Sequence, residues 1–471
     1  MSLRFGTDGW RAVIADEFTF CNVRRVAAGI AAAMQGNSAV EGSVAIGYDT
    51  RFLSRRFAEA IAQVLLASGY RVLLASRACP TPAVSCQVVA SSAPFGVVVT
   101  ASHNPAIYNG VKIKDAAGSS AGSETTGACE RCIPPHDPPC GPLDEAVQDG
   151  RLGGCDFTTA HVERLERMVD PAPLRSANLR IVCDPMHGSC GRLLESMLGG
   201  DSTLVTTIHA QPDPLFGGLH PEPLEANLAA LRDRVVSSGA DAGFATDGDG
   251  DRIGAFDEKG NFVSPLRIAP LLAWDLIRKG RRGPLGKTFA NTLLLDRVAK
   301  QAGVPFSVFP VGFKHIAREL QRGNMLLGGE ESGGIGVEGY IPERDGTLIS
   351  LMLLRAMVEQ GKTLSRMVSD LECSFGNLHY RRRDIACPTR RGRKLVEALK
   401  THIPSSIGGM KVTGYEDLDG LKLLFGQDGW VLFRASGTEP VLRVYSEAPT
   451  PERLDAVMAQ ALSLMEQQRS S

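Results

Sequence analysis

The sequence predicts an α/β protein with four domains around a central cleft: three similar domains with mixed sheets, then a C-terminal α+β domain. In the first three quarters of the chain, runs rich in Val, Ile and Leu alternate with amphipathic segments of helix length, as in largely parallel sheets. This pattern starts again twice, and after residue 373 it changes to strands separated by short turns. A length of 471 residues suffices for four domains. The predicted domains are residues 1–156, 157–258, 259–373 and 374–471.

The elements of the first two domains follow from their apolar periodicity. In the first domain we expect strands and one helix at Val44–Tyr48, Arg55–Ser68 (the helix), Val72–Ala75 and Phe95–Thr100. In the second domain we expect a strand, a helix and a further strand at Leu179–Cys183, Gly188–Leu198 and Ala242–Ala245.

The third and fourth domains differ in their connections. The third again combines strand and helix patterns, at Thr288–Asn291 (strand), Asp296–Ala302 (helix) and Phe306–Phe309 (strand). The fourth has strand patterns joined by short turns, at Lys411–Tyr415, Leu421–Phe425, Trp430–Arg434 and Leu442–Glu447. A helix from Pro451 to about Met465 closes the chain.

Composition and charge exclude several classes of protein. The 51 basic and 52 acidic residues give a net charge of -1, which creates no overall field for nucleic acid or a membrane surface. Apolar runs are shorter than the roughly 18 residues of a membrane helix. Charged residues in Met1–Asp16 argue against a secretory signal, and an odd count of 11 cysteines argues for reduced thiols. We therefore expect a cytoplasmic protein without nucleic-acid or membrane partners.

Four cysteines lie close together in the sequence, and Cys129 and Cys132 have the spacing of half a zinc site. Cys140 and Cys155 do not form a second close pair. We therefore interpret the four as incidental thiols, with metal or redox use as the weaker alternative.

The first candidate for chemistry is the serine loop, Thr100–Pro105, which follows the apolar run 95–99. Sites of α/β proteins lie at the ends of strands. Ser102 lies there beside His103, and Pro105 prevents the strand from continuing. Ser102 is therefore a candidate nucleophile, and an ordinary turn or helix cap is the alternative.

The second candidate is the aspartate loop, Asp247–Arg252, with carboxylates at alternate positions after a predicted strand. Gly248 and Gly250 allow the backbone to fold so that Asp247, Asp249 and Asp251 converge. Three converged carboxylates suit Mg²⁺ or Ca²⁺, because a divalent cation relieves their repulsion. An EF-hand does not fit, since its loop needs glycine where this chain has Arg252.

Two further loops suit a phosphorylated sugar. The glutamate loop, Gly328–Gly334, offers carboxylate acceptors for sugar hydroxyls, and the phosphate loop, Arg434–Pro440, offers a guanidinium, hydroxyls and a glycine for an anion. Alone, each is also explained as a polar turn. Together the four loops supply a nucleophile, a metal site, a sugar site and a phosphate site, one in each domain. This combination predicts a sugar-phosphate phosphotransferase with its cleft where the domains meet.

The chain resembles the α-D-phosphohexomutase family of phosphoglucomutases and phosphomannomutases along nearly its whole length. The resemblance rests on five segments in the family's order, Phe5–Arg11, Thr100–Pro105, Asp247–Arg252, Gly329–Gly334 and Arg434–Pro440. It implies that Ser102 carries a phosphoryl group and donates it to a hexose monophosphate. The resulting hexose 1,6-bisphosphate turns round in the cleft before Ser102 takes back the other phosphoryl group.

The same resemblance implies roles for individual residues. Mg²⁺ would be held by the phosphorylated serine and the three aspartates, Ser102, Asp247, Asp249 and Asp251. Catalysis would also involve Arg11, Lys112 and His103, with Lys112 the better candidate for the hydroxyl proton and Arg11 for charge stabilisation. Substrate binding would involve Arg252, Gly312 and Lys314, then Glu330 and Ser332 at the sugar's O3 and O4, then Arg434, Ser436, Gly437 and Thr438 at the phosphate that is not reacting.

The choice of sugar is less sharply defined. The motifs most resemble members that act on glucose phosphates, often with mannose phosphates too, and glucose 1,6-bisphosphate is the expected activator. Glucose and mannose differ only at C2, so contacts to O3 and O4 discriminate little between them. Many bacterial relatives have histidine where this chain has Gly334, so that contact must be absent or come from another group, such as His315.

Several alternatives remain open at this point. A phosphomannomutase, a phosphoglucosamine mutase and a glucose 1,6-bisphosphate synthase would share this machinery. A sugar-phosphate phosphatase is disfavoured because a mutase must keep water from the phosphoserine. A non-catalytic sensor would not need Ser102 together with three aspartates. The sequence leaves a monomer and a homodimer equally open.

Overall fold

The chain forms four units, each built around one sheet, as predicted. The computed structural model describes residues 3–6, 8–35, 42–437 and 440–470, with side chains described as far as residue 466. The first three units have mixed sheets covered by helices, and the fourth has an antiparallel sheet. The predicted fold class is confirmed. The exact boundaries between the units stay predictions.

The first unit has a six-stranded sheet in the order β1-β5-β4-β2-β3-β6. Its strands are β1 (Trp10–Val13), β2 (Ser43–Tyr48), β3 (Arg71–Ala75), β4 (Gly96–Val99), β5 (Tyr108–Lys114) and β6 (Leu152–Cys155). Its helices are α1 (Phe20–Met34), α2 (Ser54–Ala67), α3 (Thr81–Ala90), α4 (Ser123–Arg131), α5 (Leu143–Gln148) and α6 (Phe157–Met168). Strand β5 runs antiparallel to both β4 and β1, so the chain turns sharply after β4, where the serine loop lies.

The second unit has a five-stranded sheet in the order β11-β10-β9-β7-β8. Its strands are β7 (Arg180–Asp184), β8 (Leu204–Thr207), β9 (Ala242–Thr246), β10 (Ile253–Asp257) and β11 (Phe262–Val263). Its helices are α7 (Ala172–Arg175), α8 (Leu193–Leu198) and α9 (Ala229–Ser238), with short 3₁₀ turns at Phe216–Gly218 and Glu225–Asn227. Strands β9 and β10 form an antiparallel hairpin, and the aspartate loop is its turn.

The third unit has a four-stranded sheet in the order β13-β12-β14-β15. Its strands are β12 (Leu285–Thr288), β13 (Phe306–Phe309), β14 (Leu327–Gly329) and β15 (Ile335–Val337). Its helices are α10 (Pro265–Arg278), α11 (Leu294–Ala302), α12 (Lys314–Gln321), α13 (Gly346–Gln360) and α14 (Leu364–Phe375). The glutamate loop connects the antiparallel strands β14 and β15.

The fourth unit has an antiparallel sheet in the order β16-β22-β21-β20-β19. Its elements are β16 (His379–Ala386), α15 (Thr389–Thr401), β17 (Ser406–Ile407), β18 (Met410–Lys411), β19 (Gly414–Glu416), β20 (Leu421–Leu424), β21 (Trp430–Ala435), β22 (Val441–Ala448) and α16 (Pro451–Ser470). Strands β17 and β18 form a separate hairpin. In the described part of the chain, no helix combines the length and the apolar character that crossing a membrane requires.

The second and third units share one hydrophobic core, whereas the first and fourth have cores of their own. Helix α13 explains the shared core, because it is buried on nearly all sides and contacts β9 and β10 of the second unit. Its first turn is capped by Asp345, whose Oδ1 accepts hydrogen bonds from the backbone N–H groups of Thr347 and Leu348 at 2.9 and 3.1 Å. The aspartate and glutamate loops therefore lie on one packed body.

Three predicted elements differ in the structure. The strand expected at Lys411–Tyr415 is interrupted at residues 412–413, because β18 before the break pairs with β17 and β19 after it pairs with β20. The strand expected at Thr288–Asn291 lies at Leu285–Thr288, because Phe289 and Ala290 instead pack against Trp430 of the fourth unit. Their apolar character reflects a contact between units rather than a strand. The helix expected over Gly188–Leu198 begins only at Leu193, since Gly191 has a φ of 49° that no helix accommodates.

Asp345→Ala should destabilise the chain more than the loss of a helix cap alone. Asp345 Oδ2 accepts a hydrogen bond from the Tyr340 hydroxyl at 2.6 Å and lies 2.5 Å from His161 Nε2, and all three groups are buried. Leaving these partners unpaired costs roughly 3–5 kcal/mol, which urea unfolding would measure. Thr363→Ala is the control, because it removes the exposed cap of α14 at about 1 kcal/mol. Equal losses would contradict this account of Asp345.

Candidate active site

The serine loop holds Ser102 in a left-handed backbone conformation, with a φ of 52°. Such a conformation is strained for a residue with a side chain, so the surroundings must hold it. The Ser102 N–H donates to Thr100 Oγ1 at 2.9 Å, and the Thr100 hydroxyl donates to Asp49 Oδ2 at 2.6 Å. Ser102 is 1% exposed. The loop thus fixes a buried hydroxyl at the end of β4.

A buried arginine holds the rest of this loop. The Arg51 guanidinium donates to the carbonyl oxygens of Ser102 and Asn104 at 2.6 Å, and of Pro105 and Tyr108 at 2.9 and 3.0 Å. Its charge is balanced by Asp49, whose Oδ2 is 3.1 Å from Arg51 Nε. Four carbonyls bound by one planar group leave the loop little freedom.

The aspartate loop brings its three carboxylates together beside Ser102. One oxygen each of Asp247, Asp249 and Asp251 lies within 4.8 Å of the others, and all three residues are buried. The Ser102 hydroxyl donates to Asp247 Oδ2 at 2.8 Å. A Cβ at Gly248 would lie 2.8 Å from the Ser102 carbonyl oxygen, so only glycine permits this approach of the two loops.

The three aspartates fit a divalent cation. Asp249 Oδ1 and Asp251 Oδ1 are buried without a hydrogen-bond partner among the described residues, which is costly unless a ligand completes them. Burial and the neighbouring Asp249 and Asp251 raise the pKa of Asp247 well above its ordinary value. Hard oxygen donors under mutual repulsion are what Mg²⁺ binds. In the described parts of the chain, this is the one group of three or more metal-binding side chains.

Lys112 supplies positive charge to the same cluster. Its Nζ lies 2.8 Å from Asp249 Oδ2, 3.0 Å from Asp251 Oδ2 and 2.9 Å from Asp8 Oδ2. Burial alone lowers the pKa of Lys112, but these carboxylates outweigh burial and raise it. The ammonium is therefore well suited to stabilise negative charge, and its use as a proton acceptor stays a prediction. Arg11 lies nearby and donates to Asn104 Oδ1 at 2.6 Å.

His103 and Arg252 lie beside the cluster. His103 Nδ1 is 3.4 Å from the Ser102 hydroxyl, and burial together with nearby arginines, Arg252 first, lowers its pKa well below its ordinary value. A neutral imidazole results. Arg252 NH1 donates to Glu222 Oε1 at 3.1 Å, and Arg252 Nε is buried without a hydrogen-bond partner in the described ranges. This leaves one guanidinium N–H available for a ligand.

The glutamate loop places its first carboxylate in the same interior. Glu330 is 5% exposed, and burial raises its pKa to about 7. The Glu330 N–H donates to the Gly334 carbonyl oxygen at 2.8 Å, which closes the loop, and Ser332 lies within it half-buried. Of the predicted segment 312–314, Gly312 is buried and the Lys314 ammonium donates to Ser123 Oγ of the first unit at 2.8 Å.

The phosphate loop lies on the fourth unit, at the end of β21. Arg434 is 8% exposed and its Nε donates to Asp419 Oδ2 at 2.9 Å, Ser436 is buried, and Gly437 is exposed. The predicted Thr438 lies outside the described residues. Asp419 Oδ2 also accepts the N–H of Val311 at 2.9 Å, so it joins this loop to the third unit beside Gly312.

Models of the phosphoglucomutase/phosphomannomutase family match all four units. Alpha/beta/alpha domain I matches residues 2–137, domain II residues 159–260, domain III residues 265–374 and the C-terminal domain residues 390–464. The chain belongs to this phosphohexomutase family. Its members are mutases, and the chain is accordingly an isomerase of the intramolecular phosphotransferase type.

Individual relatives of this phosphohexomutase carry several names. The phosphoglucomutase/phosphomannomutase of Thermococcus kodakarensis is 30% identical over 470 residues, covering 99% of both chains. The phosphoglucosamine mutase of Frankia casuarinae is 30% identical over 479 residues, covering 97% of this chain and 98% of that protein. A solved structure from Thermus thermophilus, whose name refers to a phosphomannomutase, is 35% identical with a TM-score of 0.88, covering 99% of both chains.

Most of the predicted site residues of this phosphohexomutase come together. Direct contacts, or one shared partner, connect Ser102, His103, Lys112, Arg11, Asp247, Asp249, Asp251, Arg252 and Glu330. The phosphate loop connects to the other loops through the third unit. The link is Asp419, whose Oδ2 accepts hydrogen bonds from Arg434 Nε and the Val311 N–H. Arg382 of the fourth unit makes a second contact, with its NH1 3.6 Å from Glu331 Oε1.

Sequence reasoning missed several residues of the site, namely Asp8, Asp49, Arg51, Glu222, Arg344 and Arg382. A weak signal existed for Arg51, since Asp-x-Arg follows directly after the predicted strand Val44–Tyr48, as site residues do. Asp8 lay within the first segment of the family resemblance. Arg344 precedes a helix cap in a loop without a recognised motif.

The clustered cysteines do not assemble. Cys129 is buried, Cys132 and Cys140 are exposed, and Cys155 is half-buried, all as free thiols. They form no group with a third metal-binding side chain within the described ranges.

Asp249→Asn should weaken Mg²⁺ binding, because it replaces a hard anionic ligand by a neutral amide. Changes to residues that only support metal ligands already lower metal affinity roughly 10–100-fold. We therefore expect the Mg²⁺ affinity of Asp249→Asn, measured by isothermal titration calorimetry, to fall by at least as much. Asp257→Asn is the matched control, since that buried carboxylate lies on the same sheet but binds backbone N–H groups of Lys259 and Asn261. Equal Mg²⁺ affinity of both variants would remove the aspartate loop as the metal site.

Proposed function

We propose that this phosphohexomutase interconverts glucose 1-phosphate and glucose 6-phosphate, and acts on mannose phosphates as well. The reaction proceeds through a phosphoserine at Ser102 and a bound hexose 1,6-bisphosphate, with glucose 1,6-bisphosphate as activator. The supporting observation is the Ser102 hydroxyl, 2.8 Å from Asp247, in a buried cluster of three aspartates with Lys112 at its far side. Phosphoryl transfer needs this combination of fixed position and balanced charge.

The chain's own residues position the nucleophile and balance charge. The serine loop aims the Ser102 oxygen into the cluster, while Arg51 and Asp49 keep the loop rigid. Lys112 and Arg252 stabilise the charge of a phosphoryl group near Ser102. Mg²⁺, held by Asp247, Asp249 and Asp251 together with the serine, would supply further neutralisation of that charge. Burial of Ser102 keeps water away, which favours transfer to a sugar over hydrolysis.

The glutamate loop and the phosphate loop would hold the substrate. Glu330 and Ser332 bind the sugar's O3 and O4, and Arg434, Ser436, Gly437 and Thr438 bind the phosphate that is not reacting. Gly312 and Lys314 of the third unit would also contact the substrate. Because O3 and O4 are arranged alike in glucose and mannose, this site accepts both sugars with modest preference.

A phosphoglucosamine mutase is the second candidate, since a relative 30% identical to this chain carries that name. It requires an acceptor for the amino group at C2 of the sugar. The assay therefore includes glucosamine phosphate. We further propose that the enzyme works in the cytoplasm, as a monomer or homodimer.

The proposed function predicts a simple result in phosphorus NMR. Purified protein with Mg²⁺ and a trace of glucose 1,6-bisphosphate should convert glucose 1-phosphate to glucose 6-phosphate without inorganic phosphate. Mannose and glucosamine phosphates, tested alike, rank the sugars. Release of inorganic phosphate would indicate a phosphatase, and accumulation of bisphosphate a bisphosphate synthase. An unchanged spectrum with every sugar would contradict mutase action and favour a sensor.

Ser102→Ala should abolish turnover and retain binding, since the serine oxygen is the proposed phosphoryl carrier. We expect a loss on the order of 10⁴-fold or more in kcat, with glucose 1-phosphate affinity by calorimetry close to that of the unmodified enzyme. Ser91→Ala is the control, because its hydroxyl bonds only the Gln87 carbonyl at the other end of α3 from the site. A Ser102→Ala enzyme of near-normal rate, or phosphorylation detected by mass spectrometry on another residue, would refute the assignment.

A further inference from the structure

Position 334, in the same loop as Glu330, is a glycine for a steric reason. A Cβ at Gly334 would lie 2.3 Å from Arg344 Cδ and 2.9 Å from Glu330 Oε2. Real Cβ atoms do not approach other atoms so closely, and the φ of Gly334 is outside the left-handed range. The volume that a residue at 334 would fill is therefore occupied by Arg344.

Arg344 connects the sugar site to the acidic cluster. Its NH1 lies 3.3 Å from Glu330 Oε2, and its NH2 lies 2.6 Å from Asp251 Oδ2 and 2.8 Å from Asp8 Oδ2. The residue is 4% exposed. One rigid guanidinium thus contacts carboxylates from three units at once. A lysine ammonium on its flexible stem does not reproduce this geometry.

The stem and plane of Arg344 are themselves fixed. Its Nε and backbone N–H donate to Glu343 Oε1 at 3.3 and 2.9 Å, and Glu343 Oε2 pairs with the buried Lys114. The guanidinium carbon lies 5.3 Å from the centroid of the Phe313 ring. Arg344 also directly precedes Asp345, the cap of α13. A side chain held at every point can fix the position of what it contacts.

Glu330 depends on such support because it is a buried carboxylate. Burial raises the pKa of Glu330, and Arg344 is the strongest influence that opposes the rise. An ionised carboxylate accepts hydrogen bonds on both oxygens, whereas the protonated acid accepts fewer. With Oε2 held by Arg344, Glu330 Oε1 is the oxygen left to meet a sugar hydroxyl.

We propose that Arg344 is the positioning residue for sugar recognition: it holds Glu330 Oε2 and so aims the carboxylate at the sugar's hydroxyls, at a fixed distance from the acidic cluster. This inference rests on the proposed function, in which Glu330 binds O3 and O4. Arg344 acts through Glu330 and does not itself contact the substrate.

The test measures hydroxyl recognition rather than activity alone. A site built to bond a hydroxyl rejects the deoxy analogue, so the unmodified enzyme should prefer glucose 1-phosphate over its 3-deoxy or 4-deoxy analogue by about 100-fold or more in kcat/KM. In Arg344→Met we expect this preference to fall to about tenfold or less. Calorimetric binding of the same three compounds gives the preference independently of turnover.

Four further variants test whether Arg344 acts through Glu330. Glu330→Gln should lose the preference similarly, and Arg344→Met in that background should change it little more, because the two residues act as a pair. Arg344→Lys keeps the buried positive charge and the fold, and it should show an intermediate preference. Arg267→Met, which removes another ion-paired arginine of the third unit, should leave the preference unchanged.

The outcomes separate this inference from the proposed function. A preference that survives in both Arg344→Met and Arg344→Lys overturns the inference, whether or not kcat falls. The same holds if only the Mg²⁺ activation constant changes, since Arg344 would then act through Asp251. Failure of the unmodified enzyme to isomerise any hexose phosphate would refute the proposed function, while the binding preferences would still decide the role of Arg344.

Discussion

The repulsion among three buried carboxylates determines much of this molecule. Asp247, Asp249 and Asp251 converge on a short hairpin turn, where water does not screen them. The second unit contributes a cation of its own, Arg252, whose Nε lies 3.9 Å from Asp247 and whose NH1 pairs with Glu222. Further cations come from elsewhere: Lys112 from the first unit and Arg344 from the third. Electrostatic balance therefore requires that three units meet at one point.

The fourth unit is attached by a different kind of contact. Phe289 and Ala290 of the third unit pack against Trp430, and the buried Lys422 lies over the Trp430 ring with its ammonium 4.2 Å from the centroid. Burial and the nearby Lys287 ammonium lower the pKa of Lys422 to about 7. The Arg382 guanidinium of the fourth unit also lies 3.6 Å from the Glu331 carboxylate of the third unit. The fourth unit, which contains the phosphate loop, is thus attached through an apolar contact region rather than through the charged cluster around the aspartate loop.

Site residues that lie within one loop of the sequence could be predicted, whereas contacts between residues far apart in the sequence mostly could not. Each loop following a strand carries its chemistry within about seven residues, so Ser102, the three aspartates and Glu330 could be recognised from spacing and glycine placement. Arg344 could not, because Asp8, 336 positions away, is one of its partners, and pairings at that separation leave no local pattern. The displaced strand near Phe289 has the same origin, since an apolar run buried between units resembles one buried in a sheet.

The charge of the site also bears on the proposed reaction, in which Ser102 would serve two phosphates in turn. A bisphosphate that turns round must leave and re-enter the acidic cluster without being lost, so its other end must be held by cations outside that cluster. Arg434 is paired with Asp419, and Arg382 with Asp384 and Glu331, so each has fewer carboxylate partners than Lys112 with its three. In the proposed reaction a phosphate would therefore displace these partners in the fourth unit, whereas the cations near the aspartate loop would stay in place. This difference in ion pairing suits a site in which the cations around the reacting phosphate stay fixed and those around the other phosphate exchange their partners.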